Sequence, residues 1–261
     1  MAPTLKPAYT KLANIYDAVM SDVDYDLWAD YIDALMLKHH PEPQRVMELA
    51  CGTGSLALSL DELECYDISG TDRSPQMIAR ARQKNEARMC KVDFSVMNFL
   101  DISTRKTYDV VLCIFDSINY LHSPKQILTF LEECKKLLTP QSLLIFDFTT
   151  PANSVEAITY LHNERGTTEN NFRFHRSSTY NKEQHIHNNR FLIQQLSADG
   201  QTVEAEYIEN HEQKIYTLDQ ILDIIDQTEY QLITKYDGFE FEEADSESLR
   251  ITMVLQCSTT Q

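Results

Sequence analysis

The sequence predicts an α/β protein. Its expected form is a Rossmann-like, seven-stranded, mostly parallel sheet with N-terminal helices and an antiparallel three-strand insert after the fifth strand. Three observations predict it. Residues 43–57 read Pro-Gln-Arg-Val-Met-Glu-Leu-Ala-Cys-Gly-Thr-Gly-Ser-Leu-Ala, a short apolar strand, a glycine turn and the opening of a helix. Strand and helix patterns then alternate up to residue 150, as in a parallel sheet covered on both faces. After Thr149-Thr150-Pro151 the pattern changes to three long polar strands in succession.

The first predicted helix spans 9–20, with Leu12, Ile15, Tyr16 and Val19 on one face. Asp24 is a candidate N-cap for a second helix over 25–38, striped by Leu27, Trp28, Tyr31, Ile32 and Leu35. Pro41-Glu42-Pro43 ends it. The first strand covers 45–50, and a helix over 55–60 follows the glycine turn. The second strand is 64–71. Ser74-Pro75 opens a helix through residue 85, proline suiting the first turn. Strands three, four and five fall at 91–97, 108–115 and 142–148, with a long amphipathic helix over 125–138. The insert strands are 171–180, 184–197 and 202–216, joined by Asn181-Lys182-Glu183 and Ala198-Asp199-Gly200. Thr217 caps a helix over 218–228. Two last strands, 230–241 and 249–257, pair as a hairpin.

A chain of 261 residues suffices for one large α/β domain, or one with a small appendage. Its net charge is −17, from 23 basic and 40 acidic side chains, and no useful Lys/Arg run interrupts that acidity. Such a surface repels phosphate backbones, so no nucleic-acid partner is expected, and the charge serves solubility. The six cysteines include no C-x-x-C pair. They suit a reducing compartment and no zinc site. His185 and His187 share a strand face but lack a third partner, so no metal is expected. No apolar run reaches membrane-spanning length, and the first seven residues hold no apolar signal core. A cytoplasmic monomer or homodimer is expected.

Gly52, Gly54 and Ala57 satisfy the G-x-G-x-x-G/A pattern, so the glycine turn alone leaves the ligand open between dinucleotides and others. Glu48 narrows it. A carboxylate four residues before Gly52 repels a pyrophosphate and suits a ligand bearing an ammonium and a sulfonium, as S-adenosylmethionine does. Asp72 closes the second strand, eighteen residues after Gly54, where an acid can accept both ribose hydroxyls or cap the next helix.

With these motifs the chain resembles the class I (Rossmann-like) S-adenosylmethionine-dependent methyltransferases. The matching segments are 46–54, 70–77, 108–113 and 137–148, in that order. The resemblance covers residues 9–150 well and the rest loosely. The insert, Tyr9 with Tyr16-Asp17, and Asp116-Ser117-Ile118-Asn119-Tyr120-Leu121 make the chain similar to small-molecule methyltransferases. Nearest are the sugar-amine N-methyltransferases of the desosamine/mycaminose kind, with glycine/sarcosine N-methyltransferases more distant.

The resemblance implies N-terminal helices and a cofactor-binding core over 1–150, a lid or substrate insert over 151–216, and a closing helix and strand pair over 217–261. It implies that Gly52 and Gly54 let the backbone approach S-adenosylmethionine and that Glu48 works near the methionine moiety. Asp72 holds the ribose; Arg73 and Met77 flank the adenine. Asn98 stands where the family usually has an acid facing the adenine amine, and its carbonyl can still accept. The Phe99 N–H faces adenine N1, and Phe115 sits near the sulfonium. Tyr16 comes from the helix that covers the cofactor, although its spacing equally fits a core tyrosine. His122, seven residues past the fourth strand, is a candidate base or amine-orienting group, or else a plain loop histidine. His122 and Tyr16 are the catalytic candidates. Asn119, Tyr120, Arg176, Arg190 and His211 are the candidate substrate-binding residues.

The expected function is S-adenosylmethionine-dependent methyl transfer to a small-molecule acceptor. Nitrogen is favoured, because an amine needs only desolvation and deprotonation, whereas oxygen calls for a base or a metal. A non-catalytic S-adenosylmethionine-binding protein and an NAD-dependent oxidoreductase are the alternatives.

Overall fold

The computed structural model describes residues 3–257; residues 1–2 and 258–261, the two ends of the predicted organisation, lie outside the described residues. In chain order the elements are β1 (Thr4–Leu5), a 3-10 turn (Leu12–Asn14), α1 (Tyr16–Val19), α2 (Tyr25–His39), β2 (Arg45–Leu49), α3 (Ser55–Asp61), β3 (Asp67–Asp72), α4 (Pro75–Arg88), β4 (Asp93–Val96) and β5 (Tyr108–Cys113). There follow a second 3-10 turn (Ser117–Tyr120), α5 (Pro124–Lys135), β6 (Leu138–Thr149), α6 (Pro151–Leu161), β7 (Arg165–Thr167), β8 (Phe172–Asn181), β9 (Ile186–Leu196), β10 (Val203–Lys214), α7 (Leu218–Ile225), β11 (Tyr230–Asp237) and β12 (Arg250–Cys257).

The core sheet has the expected seven strands, in the order β11-β12-β6-β5-β2-β3-β4. Pairing is parallel from β6 to β4, and β12 and β11 add antiparallel. The central strands are buried on both faces, as their unbroken apolar runs require: Val46, Met47 and Leu49 on β2, Val110 to Cys113 on β5. One core lies between the sheet and α5 and α7, the other between the sheet and α2, α3 and α4. The strand order reverses between β2 and β5, so a crevice opens past their carboxyl ends. Asp24, Ser74 and Thr217 cap their helices through side-chain oxygens, Thr217 in a capping box with Gln220.

The second sheet has five strands, ordered β1-β10-β9-β8-β7, where three were expected. The long strands β8, β9 and β10 stand where the turn signals put them; the two-residue β1 and three-residue β7 are too short for periodicity to reveal. The N-terminal helix expected over 9–20 is broken. Tyr9 is left-handed, with φ 62°. The main-chain N–H groups of Lys11 and Leu12 turn to the carboxylate of Glu209 on β10 instead of to helical partners. Helix α6 was not expected either; its start carried a signal, Thr150 as N-cap with Pro151 in the first turn. A third small core, Leu12, Ile15, Phe174, Phe191 and Ile193, fastens the N-terminal segment to the second sheet.

Candidate active site

The crevice is built from strand ends. After β2 the chain passes through Ala50 at φ 55° and Gly52 at φ 56°. The Gly52 N–H donates to Asp72 Oδ2 at 3.1 Å and the Ser74 N–H to Asp72 Oδ1 at 2.7 Å, so the acid at the end of β3 shapes both turns. Tyr16, Glu48, Gly52, Asp72, Arg73, Met77, Asn98, Phe99 and Phe115 line one cavity at this point. Gly54 does not line it. It is left-handed, with φ 75°, and a Cβ there would lie 2.5 Å from the Phe94 ring. The second glycine of the motif therefore serves helix–strand packing, not approach to a ligand.

Glu48 is 3% exposed, and its Oε2 is buried without a hydrogen-bond partner. Burial pushes its pKa up to about 8, against the pull of the Ala57 N–H. An unpartnered carboxylate aimed into a cavity suits a cationic ligand group. Burial also raises Asp72, and the Ser74 and Gly52 N–H groups oppose that rise. Asn98 spends its side-chain oxygen on the Leu100 N–H at 3.0 Å. The N-terminal cover is latched to the glycine turn. Thr53 Oγ1 donates to Asp17 at 2.6 Å, and Lys84 Nζ reaches Asp17 at 3.0 Å and Ser55 Oγ at 2.6 Å.

A second cavity, of about 550 Å³, lies between the strand ends and the second sheet. It shares Tyr9, Tyr16, Phe115 and Tyr120 with the first. Phe115 and Asp116 take φ 60° and 50°, two consecutive non-glycine residues in the left-handed region. Such strain persists only where the surroundings over-determine it. Here the Asp116 N–H donates to Asp147 Oδ1 at 2.6 Å, and Asp116 Oδ2 accepts from Gln213 at 2.5 Å. Arg250 bridges Asp116 and Asp147, each at 2.6 Å. Burial works against the Arg250 charge, but the two carboxylates outweigh it and raise its pKa. The Phe115 ring is held against Trp28, centroids 4.5 Å apart, and Tyr25 at 5.4 Å.

Tyr120, Arg176 and His211 line this second cavity. Arg176 is paired with Glu164 at 2.9 Å. Tyr9 donates to Tyr120 at 2.5 Å, and Tyr120 meets His211 Nδ1 at 3.2 Å. Three candidates stand elsewhere. Asn119 is fully buried behind the wall, donating to the carbonyls of Thr149 and Lys214 and accepting from the Thr149 N–H. His122 lines neither cavity. Its ring is turned outward to Glu212, with Nδ1 3.3 Å from the carboxylate and Nε2 3.1 Å from the carbonyl. Arg190 is exposed, because the alternation of β9 sends His187, Asn189 and Phe191 to the cavity face. These three side chains line neither cavity.

Sequence reasoning missed Arg250, Glu164, Asn153, Ser154, His187, Asn189 and Gln213 in the second cavity. The period-two pattern of β10, which puts Glu209, His211 and Gln213 on one face, could have found Gln213 and Glu209. Trp28, from the apolar stripe of α2, also borders the cavity.

Fold and site together place a crevice at the reversal of strand order next to a second cavity that shares one wall with it. Residues 46–141 match the family model described as "Methyltransferase domain". That segment runs from β2 into β6, so the crevice-forming part of the chain is similar to a methyltransferase domain. YqeM of Bacillus subtilis (strain 168), named as a methyltransferase, is 31% identical over 140 residues, 53% of this chain and 54% of that protein. The dTDP-3-amino-3,6-dideoxy-alpha-D-glucopyranose N,N-dimethyltransferase of Streptomyces fradiae is 26% identical over 140 residues, 52% of each chain. An S-adenosylmethionine-dependent methyltransferase from Clostridium acetobutylicum ATCC 824 superposes with a TM-score of 0.76 at 19% identity, covering 96% of this chain and 99% of that one. That likeness extends the shared fold over both sheets. The chain spans little more than half the length of the curated relatives it matches, 56% and 54% for two of them. No helix among the described residues is long and apolar enough to cross a membrane.

Proposed function

We propose that the chain is an S-adenosylmethionine-dependent methyltransferase acting on a nitrogen of a small polar molecule. The carrying observation is the shared wall: Tyr9, Tyr16, Phe115 and Tyr120 belong to both cavities, so a group bound on one side faces a group bound on the other. Asp72 would hold the ribose hydroxyls, Met77, Asn98 and Phe99 would surround the base, and Glu48 and Tyr16 would face the amino-acid end. When bound, S-adenosylmethionine supplies a methyl group on a sulfonium, and the nitrogen–carbon bond forms as the carbon–sulfur bond breaks. The residues of the wall orient the nucleophile and exclude water, which is where such a reaction gains most.

The acceptor cavity supports nitrogen. Its two arginines are committed, Arg176 to Glu164 and Arg250 to Asp116 and Asp147. With Asp147 ionised, the Arg250 group carries two carboxylates for one guanidinium, and Asp22 adds another acid to the lining. Negative walls favour an amine over an anionic acceptor. The amino-sugar substrate named for the Streptomyces fradiae relative agrees with this choice of atom. Unpartnered buried oxygens of Ser154 and Asn189 at the cavity suit a polar, hydroxyl-bearing molecule.

The test is a screen of small amines and alcohols for release of S-adenosylhomocysteine. Turnover with amines supports the proposal. Turnover confined to alcohols or carboxylates rejects the nitrogen assignment, and no binding of S-adenosylhomocysteine by calorimetry rejects the cofactor.

A further inference from the structure

Four ionisable side chains form one line through the wall. Tyr9 Oη donates to Tyr120 Oη at 2.5 Å, and Tyr120 Oη lies 3.2 Å from His211 Nδ1. On the far side of the imidazole, His211 Nε2 lies 3.4 Å from Glu209 Oε2. Since Tyr9 gives its proton to Tyr120, the Tyr120 proton is free to point at His211 Nδ1. That nitrogen then carries a lone pair, and the ring proton sits on Nε2, facing Glu209. Glu209 is fully buried and His211 is 3% exposed. The line begins at a hydroxyl that borders both cavities and ends at a carboxylate that borders neither.

Building from the methyl-transfer reading above, we propose that Tyr120 is a catalytic residue that takes the proton of the acceptor nitrogen, with His211 and Glu209 as its positioning and proton-receiving pair. The acceptor N–H proton passes to Tyr120 Oη while the Tyr120 hydroxyl proton passes to His211 Nδ1. The lone pair left on nitrogen forms the new bond to carbon. Imidazolium forms beside the Glu209 carboxylate, and it returns the proton to solvent once the product leaves. No tyrosinate stands free at any point, which matters because burial raises the pKa of both Tyr9 and Tyr120.

Geometry fixes the roles. The His211 ring is clamped by Tyr9 at 4.6 Å between centroids and by Phe191 at 5.5 Å. Of the charged or titratable groups on the neighbouring strands, Arg176 of β8 and His187 of β9 line the same cavity. Glu209 Oε1 is occupied by the Lys11 and Leu12 N–H groups, while Oε2 and His211 Nε2, 3.4 Å apart, are both buried without another hydrogen-bond partner. Glu209→Gln retains an oxygen for those two N–H groups while removing the charge, so it separates the proton role from the folding role.

The test has two arms. In the first, ¹⁵N-histidine NMR of the full chain at pH 7.5, assigned with His211→Gln, reads the ring directly. The expected result is a bare Nδ1 and a protonated Nε2, with Tyr120→Phe shifting the Nδ1 resonance and Glu209→Gln the Nε2 resonance. A proton on Nδ1, or resonances indifferent to both variants, overturns the relay. In the second, ethanolamine and 3-amino-3-deoxy-D-glucose are offered with S-adenosylmethionine. Tyr120→Phe and Glu209→Gln should lower kcat roughly 10²–10⁴-fold, with S-adenosylhomocysteine affinity and Tm held near those of the unmodified chain. A parallel loss of affinity and Tm makes the residues structural and overturns the proposal. If the unmodified chain binds S-adenosylhomocysteine but methylates neither amine while methylating alcohols, the nitrogen assignment fails and Tyr120 as acceptor of the nitrogen proton falls with it. Loss of turnover on amines with intact binding in Tyr120→Phe alone, or a silent NMR arm, overturns the relay without touching the nitrogen assignment.

Discussion

The Asp72 carboxylate closes on the main-chain N–H of Gly52 at 3.1 Å, across 20 residues of sequence. One acid thus shapes the glycine turn and borders the crevice. Asp72→Ala removes a charged acceptor for two ribose hydroxyls as well as the tie to Gly52. We expect S-adenosylhomocysteine affinity to fall by roughly 2–4 kcal/mol, about 30- to 1,000-fold. Asp72→Asn keeps one acceptor oxygen and should lose less. Calorimetry on both variants checks the order, and equal affinity of Asp72→Ala with the unmodified chain rejects the ribose role.

What the sequence made legible follows from local physics. The strand–turn–helix at 45–61 and the acid at residue 72 sit in segments whose geometry is set by their own residues, and they gathered as expected. The core strands were legible because burial on both faces leaves an unbroken apolar signature. The second cavity was not. Arg250 meets Asp116 across 134 residues, and no periodicity announces such a contact. His122 and Arg190 point away from both cavities, and side-chain direction depends on register, which the sequence alone does not give. The N-terminal helix failed because Glu209, about two hundred residues away, captures its N–H groups.

Glu48 predicts a proton linkage. Its pKa of about 8 leaves it mostly protonated at pH 7. A cationic ligand group nearby favours the carboxylate, so binding S-adenosylhomocysteine at pH 7 should release a proton. The calorimetric enthalpy should then vary with the ionisation enthalpy of the buffer, and Glu48→Gln should abolish the variation. Stability should respond too. The folded pKa exceeds the unfolded one, so the folded state holds more protons between about pH 4.5 and 8. Unfolding free energy should therefore fall as pH rises through that window, by about 1.4 kcal/mol per pH unit at most. Glu48→Gln should flatten that slope in denaturant titrations.

Asp17 predicts an effect on ligand residence. It joins α1 to Thr53 and Lys84, yet its carboxylate is half-exposed, so the pair adds little to global stability. Asp17→Ala should leave Tm within about a degree or two, since exposed pairs contribute roughly 0–1 kcal/mol. The cover should nevertheless open more often, and bound S-adenosylhomocysteine should dissociate several-fold faster in stopped-flow displacement. A large drop in Tm without a change in dissociation rate would refute the latch.

Arg250 predicts a pH-dependent instability. Burial raises the pKa of Asp147, and the adjacent guanidinium opposes that rise. In Arg250→Met the two carboxylates of Asp116 and Asp147 face each other without a cation. Asp147 is fully buried and cannot turn to water. Breaking a buried pair in this way costs about 3–5 kcal/mol, and the solvent access of the guanidinium puts the expected loss toward the lower end. The loss should depend on pH with a definite sign. Burial raises the pKa of Asp147, so lowering the pH favours its protonated form and relieves the repulsion. The variant should therefore lose more stability at pH 8 than at pH 5, the unmodified chain serving as reference at each pH. The left-handed turn at Phe115 and Asp116 depends on the same network, so the variant should also methylate more slowly at either pH. Urea unfolding at the two pH values measures the first effect. A loss of equal size at both would mean that Arg250 acts through packing on Trp28, whose ring it overlies at 5.8 Å, and not through its charge.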